Sequence, residues 1–362
     1  MSSFSFGQLM MIGVSGQSLT GDEKKFIVEN DICGVTLFGR NCASPQQIRD
    51  LCAEIQSLRH HTKSKRPFLI GIDMEGGRVA RLKSPFTVWP PMSHLGKIDS
   101  PNLSFQFAHA MGTELRAVGI NLDYAPCADI LTHPQNPVIG DRSFSEDPEI
   151  VAKHVSAVIR GFVKSEVISC AKHFPGHGNT KVDSHLDLPI EDTDLATLES
   201  REFIPFQRAI KSKVDMIMSA HIRFPKIDPE WPATLSEIFL KLILRQKLRF
   251  EGVTVTDDLG MKAMSNFFST EVIPVRALQA GVDLLLYCNE FEIPPIALEA
   301  LKRAHQDGKL KDADLEASLQ RVNTLKSEYL KMPDPLPFEQ IKDRIGHTEH
   351  YRISIEMKDV CS

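Results

Sequence analysis

The chain has 362 residues, a formal net charge of −5 and seven cysteines with no Cys-x-x-Cys pair. That length allows one large barrel or two ordinary domains, and the lack of a basic excess argues against a nucleic-acid partner. The N-terminal MSSFSFGQLMMIGVSG has no basic start and only a short apolar run, so neither a signal peptide nor a membrane span is expected; the apolar-flanked cysteines suit reduced thiols and a cytoplasmic location.

In chain order, eight apolar strand-like runs recur: QLMMIGV (8–14), GVTLF (34–38), FLIGI (68–72), INLDYAP (120–126), VISCAKHF (167–174), VDMIMSAHI (214–222), GVTVTDD (252–258) and VDLLLYC (282–288). Segments with helical spacing lie between them. SPQQIRDLCAEI offers Ser44 as a cap and Pro45 as the first helical residue. SEDPEIVAKHVSAVIRGFV (145–163) and TDLATLESREFIPFQRAI (193–210) read as helices, and DADLEASLQRVNTLKSEYL (312–330) as a closing one. This alternation predicts an α/β chain with a single (β/α)8 TIM-type barrel over 1–332. A doubly wound open sheet is the weaker choice, because no Gly-x-Gly-x-x-Gly follows the first run. Past Met332 the proline-rich PDPLPF opens a tail, 333–362, expected to be a packed helix or a partly ordered extension.

The runs are apolar and then end in ionisable residues. Asp73, Glu75, Arg78 and Arg81 follow the third, Asp123 and Asp129 belong to the fourth, Lys172 and His173 to the fifth, His221 to the sixth, and Asp257 and Asp258 to the seventh. A parallel barrel gathers all these ends on one face. Polar residues collect at strand ends in any barrel, but charges there must be paired or hydrated, so several coincident ends point to a site.

AKHFPGHGNTKVDSH, 171–185, is the densest such stretch. His173, His177, His185 and Asp183 could be metal ligands, yet the spacing lacks helical i,i+4 geometry and no His-Glu-x-x-His or cysteine set supports it. The glycines could present an anion nest, a weak signal alone. Asp183 and His185, two residues apart in an extended segment, fit an acid/base pair in which the carboxylate holds the imidazole. A loop with two glycines and Asn179 is permissive enough to move. A carboxylate after the seventh run could supply a nucleophile; periodicity does not choose between Asp257 and Asp258.

Lys-His-Phe-Pro-Gly-His-Gly, followed four residues later by Asp-Ser-His, resembles the signature of the bacterial β-N-acetylglucosaminidases of glycoside hydrolase family 3, the NagZ-like group. IDMEGGRVARL, NPVIGDRSFSEDPEIVA and TDDLGM resemble further motifs of that family in the expected order, over about Phe6 to Leu330. The resemblance implies a retaining exo-β-N-acetylglucosaminidase (a β-N-acetylhexosaminidase) acting on peptidoglycan fragments in cell-wall recycling, with no cofactor or metal. It implies Asp257 as nucleophile, His185 as general acid/base and Asp183 as its orienting partner. Asp73, Arg81, Arg142, Lys172 and His173 would bind the sugar. Asn179 stands where many relatives carry Asp, and Met74 where Gln is common. The expected partner is a small carbohydrate, with no nucleic acid or membrane and a monomeric state. A phosphorylase using the same residues is the alternative. A metal-dependent hydrolase and a non-catalytic sugar-binding barrel are readings of other classes.

Overall fold

A computed structural model describes residues 4–181 and 187–358. Eight parallel strands form a closed barrel: Met10–Gly13, Gly34–Leu37, Leu69–Ile72, Leu122–Asp123, Ile168–Phe174, Met216–Ser219, Val253–Asp258 and Leu284–Tyr287. Each pairs with its neighbour in sequence, and the eighth returns to the first through Met10↔Leu285 and Ile12↔Tyr287. The (β/α)8 expectation holds, with each of the eight runs supplying its strand.

The period of two along each strand builds two cores. Met11, Leu69, Ile168, Met216, Val255 and Leu286 meet inside the barrel. Their neighbours, such as Met10, Ile70, Ile217 and Leu285, pack outward beneath the helices. A Cβ on Gly71 would fall 2.8 Å from the Tyr124 hydroxyl, so glycine there leaves room for that ring across the interior, where it meets Thr36 Oγ1 at 2.7 Å.

Capping residues start the helices as the sequence implies. The Ser44 hydroxyl accepts from Gln47 N at 3.2 Å ahead of Pro45–Ser57, and Asp147 accepts from Glu149 N at 2.8 Å ahead of Pro148–Lys164. The helix expected over 193–210 divides into Leu195–Ser200 and Phe203–Lys211. Pro205 explains the break, because its ring excludes the carbonyl of Arg201 and it has no N–H to give. A small hairpin, Met74–Gly76 with Val79–Ala80, follows the third strand and was not expected. Gly76 and Gly77 turn it at φ +96° and +56°, where a side chain would be strained.

The closing helix Asp312–Tyr329 lies against the foot of the barrel: Val322 and Leu325 join the inner cluster, and Lys326 Nζ donates to Cys33 O at 2.8 Å. Asp283, fully buried just before the eighth strand, accepts from Arg245 at 2.5 Å, Arg321 at 2.7 Å and Thr254 N at 2.8 Å. Beyond it, a helix at Thr348–Glu356 packs beside the helix Pro101–Ala117. There Glu114 accepts from Thr87 Oγ1 at 2.6 Å and pairs with His350 Nδ1 at 2.7 Å, and Ser354 Oγ donates to Val88 O at 2.7 Å. No helix among the described residues is long and apolar enough to cross a membrane.

Candidate active site

A cavity of about 370 Å³ opens at the C-terminal ends of the strands. Asp73, Arg81, Arg142, Lys172, His173 and Asp257 all line it. Asp183 and His185 lie outside the described residues.

The ends of the third, fourth and fifth strands form a continuous ion-paired wall. Lys172 Nζ donates to Asp73 Oδ1 at 2.7 Å and reaches Glu75 Oε1 at 2.6 Å. Arg142 grips both oxygens of Glu75, each at 2.8 Å, and Arg81 meets Asp73 Oδ2 at 3.1 Å. Such two-pronged pairing fixes guanidinium orientation as well as charge. Burial works to raise the Glu75 and Asp73 carboxyls, but the adjacent cations win and hold both below the usual carboxylate range. Burial likewise opposes the charge on Lys172, and Asp73 and Glu75 overcome it, raising its pKa. Arg81 also lies 5.4 Å from the Phe38 ring, and its Nε has no hydrogen-bond partner among the described residues.

Behind this wall Asp129, fully buried, organises the loop after the fifth strand. It pairs with His173 Nδ1 at 2.7 Å and accepts the His177 N–H at 2.6 Å. Burial favours its neutral acid, yet His173 and the His177 contacts pull its pKa down to about 2. Its carboxylate therefore stays ionised and accepts a hydrogen bond from His173 Nδ1–H, which turns Nε2 toward Arg142 at 3.4 Å. His177 stands edge-on to His173, with ring centroids 5.7 Å apart, and meets Thr180 Oγ1 at 2.7 Å. Burial first, and His173 second, lower its pKa to about 4, so this ring stays neutral near pH 7.

The end of the seventh strand is built differently. Both Asp257 and Asp258 line the cavity. Asp258 Oδ1 accepts from Gly260 N at 3.0 Å and Cys288 N at 3.1 Å, and Oδ2 from Asn289 Nδ2 at 3.2 Å. Its backbone carbonyl meets His221 Nε2 at 3.1 Å. Asp258 is thus a fastening between strand ends, with burial raising its carboxyl. Asp257 is less buried, and its Oδ1 accepts from the Asp258 N–H at 2.8 Å.

Sequence reasoning placed Glu75 and Asp129 at strand ends without giving them a task at the site. They neutralise Lys172 and Arg142, and orient His173. Met74 is buried, with its thioether accepting from Leu82 N at 3.3 Å, and does not border the cavity. Asn179 donates to Glu191 at 2.6 Å, a pairing that a second carboxylate would oppose. Among the described residues no group of three or more His, Cys, Asp and Glu side chains is arranged to hold a metal.

The profile of the glycosyl hydrolase family 3 N-terminal domain matches residues 4–325. A β-hexosaminidase of Hydrogenovibrio crunogenus is 36% identical over 324 residues, covering 84% of this chain and 89% of that protein. The family 3 β-N-acetylglucosaminidase of Paenibacillus sp. str. FPU-7 superposes with a TM-score of 0.91 at 36% identity, over 99% of this chain and 68% of that one. NagZ of Neisseria gonorrhoeae, solved with N-trifluoroacetyl-D-glucosamine, does so with a TM-score of 0.80 at 31% identity, over 98% of both chains. With its barrel, its carboxylate-lined mouth and these relatives, the chain belongs to glycosyl hydrolase family 3 as a NagZ-like glycoside hydrolase.

Proposed function

We propose that the protein is a retaining exo-β-N-acetylglucosaminidase. Its substrate would be N-acetylglucosamine joined to 1,6-anhydro-N-acetylmuramic acid, with or without a peptide, and its place cytoplasmic cell-wall recycling. The observation that carries the reading is that the Asp257 carboxylate and the Asp73–Lys172–Arg81–Arg142–His173 wall border one cavity of about 370 Å³. The likeness to β-hexosaminidases, and to a NagZ solved with an N-acylated glucosamine, supports the sugar.

Asp73, Arg81, Arg142, Lys172 and His173 hold the ring hydroxyls. They are already locked to one another, so binding and the developing charge require little reorganisation. Asp257 attacks the anomeric carbon as its bond to the leaving oxygen breaks. His185, oriented by Asp183, gives that oxygen its proton. The product is a covalent glycosyl ester with inverted configuration. Neutral His185 then takes a proton from water, whose oxygen displaces Asp257 and restores the β configuration. A histidine suits both steps because its unperturbed pKa of about 6.5 populates both forms near neutral pH.

The test is hydrolysis of a nitrophenyl β-N-acetylglucosaminide, followed by trapping with a 5-fluoro N-acetylglucosaminyl donor and peptide mass analysis. Added mass on the peptide at Asp257 supports the assignment. Mass on Asp258, or a strong preference for the plain glucoside, overturns it. Release of N-acetylglucosamine 1-phosphate in phosphate buffer would make the enzyme a phosphorylase.

A further inference from the structure

A second cavity, about 390 Å³, lies on the outer wall at the seam where the barrel closes. Its floor is Ile12 and Tyr287, the outward-facing residues of the first and eighth strands, and its sides are Phe26 and Phe291. Glu290 lines both this groove and the sugar cavity. The partition between them is Arg40, whose guanidinium lies 4.8 Å from the Phe38 ring on the sugar side and 5.7 Å from the Phe291 ring on the groove side. Arg40 is fully engaged, donating to Val14 O, Cys288 O and Asn289 Oδ1 at 2.7–2.9 Å. The partition is therefore rigid.

The groove's own chemistry is incomplete. Tyr287 is 3% exposed, and its hydroxyl has no hydrogen-bond partner among the described residues. Natural structures leave few such groups unsatisfied. On the rim Glu23 is occupied, accepting from Ser15 N and Thr20 N at 2.7 Å each. Asp22, Glu29 and Glu290 have no side-chain hydrogen bond or ion pair with a described residue, and Lys25 is the cation set against them. An apolar, aromatic floor below an excess of carboxylates matches a ligand with an apolar body and a positive charge.

We propose that this groove is a subsite for the leaving-group side of the substrate, receiving an apolar chain that carries a protonated amine. The proposal rests on the glycosidase reading and extends it past the scissile bond: Glu290 borders both cavities, so the leaving group would reach the groove over the rim at Glu290 and not through the Arg40 partition. The amine sits among Asp22, Glu29 and Glu290, the chain lies on Phe26 and Phe291, and the Tyr287 hydroxyl bonds an amide along it.

Two β-N-acetylglucosaminides test it. Both carry a phenyl aglycone extended by an aminohexyl amide, one with the amine free and one with it acetylated. The wild-type enzyme should favour the free amine by about fivefold in kcat/KM, through KM, at low salt, and the preference should shrink as salt screens the rim. The Asp22→Asn/Glu29→Gln variant should treat the two alike and keep its rate on the nitrophenyl glycoside. Tyr287→Phe should raise KM for both extended substrates without that rate changing. Equal kcat/KM for the two substrates with the wild-type enzyme, or a preference that persists in the double variant, overturns the subsite while leaving the glycosidase reading intact. No turnover of the nitrophenyl N-acetylglucosaminide removes both.

Discussion

The two sides of the sugar cavity solve opposite problems. Around the third to fifth strands, Glu75, Arg142 and Lys172 are buried and half-buried Asp73 joins them, with ion pairs of 2.6–2.8 Å linking the set. At the seventh strand, Asp258 absorbs the backbone N–H groups of Gly260 and Cys288, and Asp257 is the less buried of the pair. One side holds its charges still. The other brings two adjacent carboxylates, Asp257 and Asp258, to the cavity. A site that must grip a ring and then form and break a bond to it gains from keeping these tasks on separate strands.

The sharpest break in that comparison is Asp257→Asn. On the proposed mechanism kcat should fall about 10⁴-fold or more with thermal unfolding little changed, because the loss would be of a nucleophile and not of a support. Glu75→Gln should do the reverse in kind. It strands Lys172 and Arg142 without their shared counter-charge, and should destabilise the fold by about 3–5 kcal/mol in urea titrations. The pH dependence of stability gives the next effect. His177 falls from its usual 6.5 to about 4 on burial, so the unfolded chain binds its proton first. Its contribution is complete above pH 6.5 and is lost as pH falls toward 4, at up to about 1.4 kcal/mol per pH unit. His177→Gln should flatten that slope in Tm-against-pH measurements. Asp258→Asn should cost about 1–2 kcal/mol and lower kcat more modestly than Asp257→Asn, with a fluorosugar still labelling the peptide at Asp257. Ser354→Ala, outside the lining of the cavity, should lower stability by about 1 kcal/mol and leave turnover unchanged.

The barrel was readable because each strand is a short apolar run, and eight such runs alternate with capped amphipathic segments. The polar strand ends were enough to expect Asp73, Lys172, His173 and Asp257 around one cavity, since a parallel barrel gathers them whatever the loops do. Glu75 and Asp129 escaped for a physical reason. Glu75 acts on Arg142, 67 residues away, and Asp129 on His173, 44 residues away, and no local period encodes such pairs. The choice between Asp257 and Asp258 was equally closed to periodicity. The contacts that differ between the two come from Cys288 and Asn289 at the next strand end, which bond Asp258 and which no local period encodes. The broken helix at 201–202 was legible in principle, since Pro205 marks it.

Asp283, clasped by two arginines beneath the eighth strand, stands at the pole remote from the chemistry. Durability and reactivity are thereby insulated from each other. Rim segments can diverge, lengthen or be exchanged to suit a new leaving group while the staves stay bolted at their base, so this scaffold is a sound chassis for redesigning which glycoside is accepted.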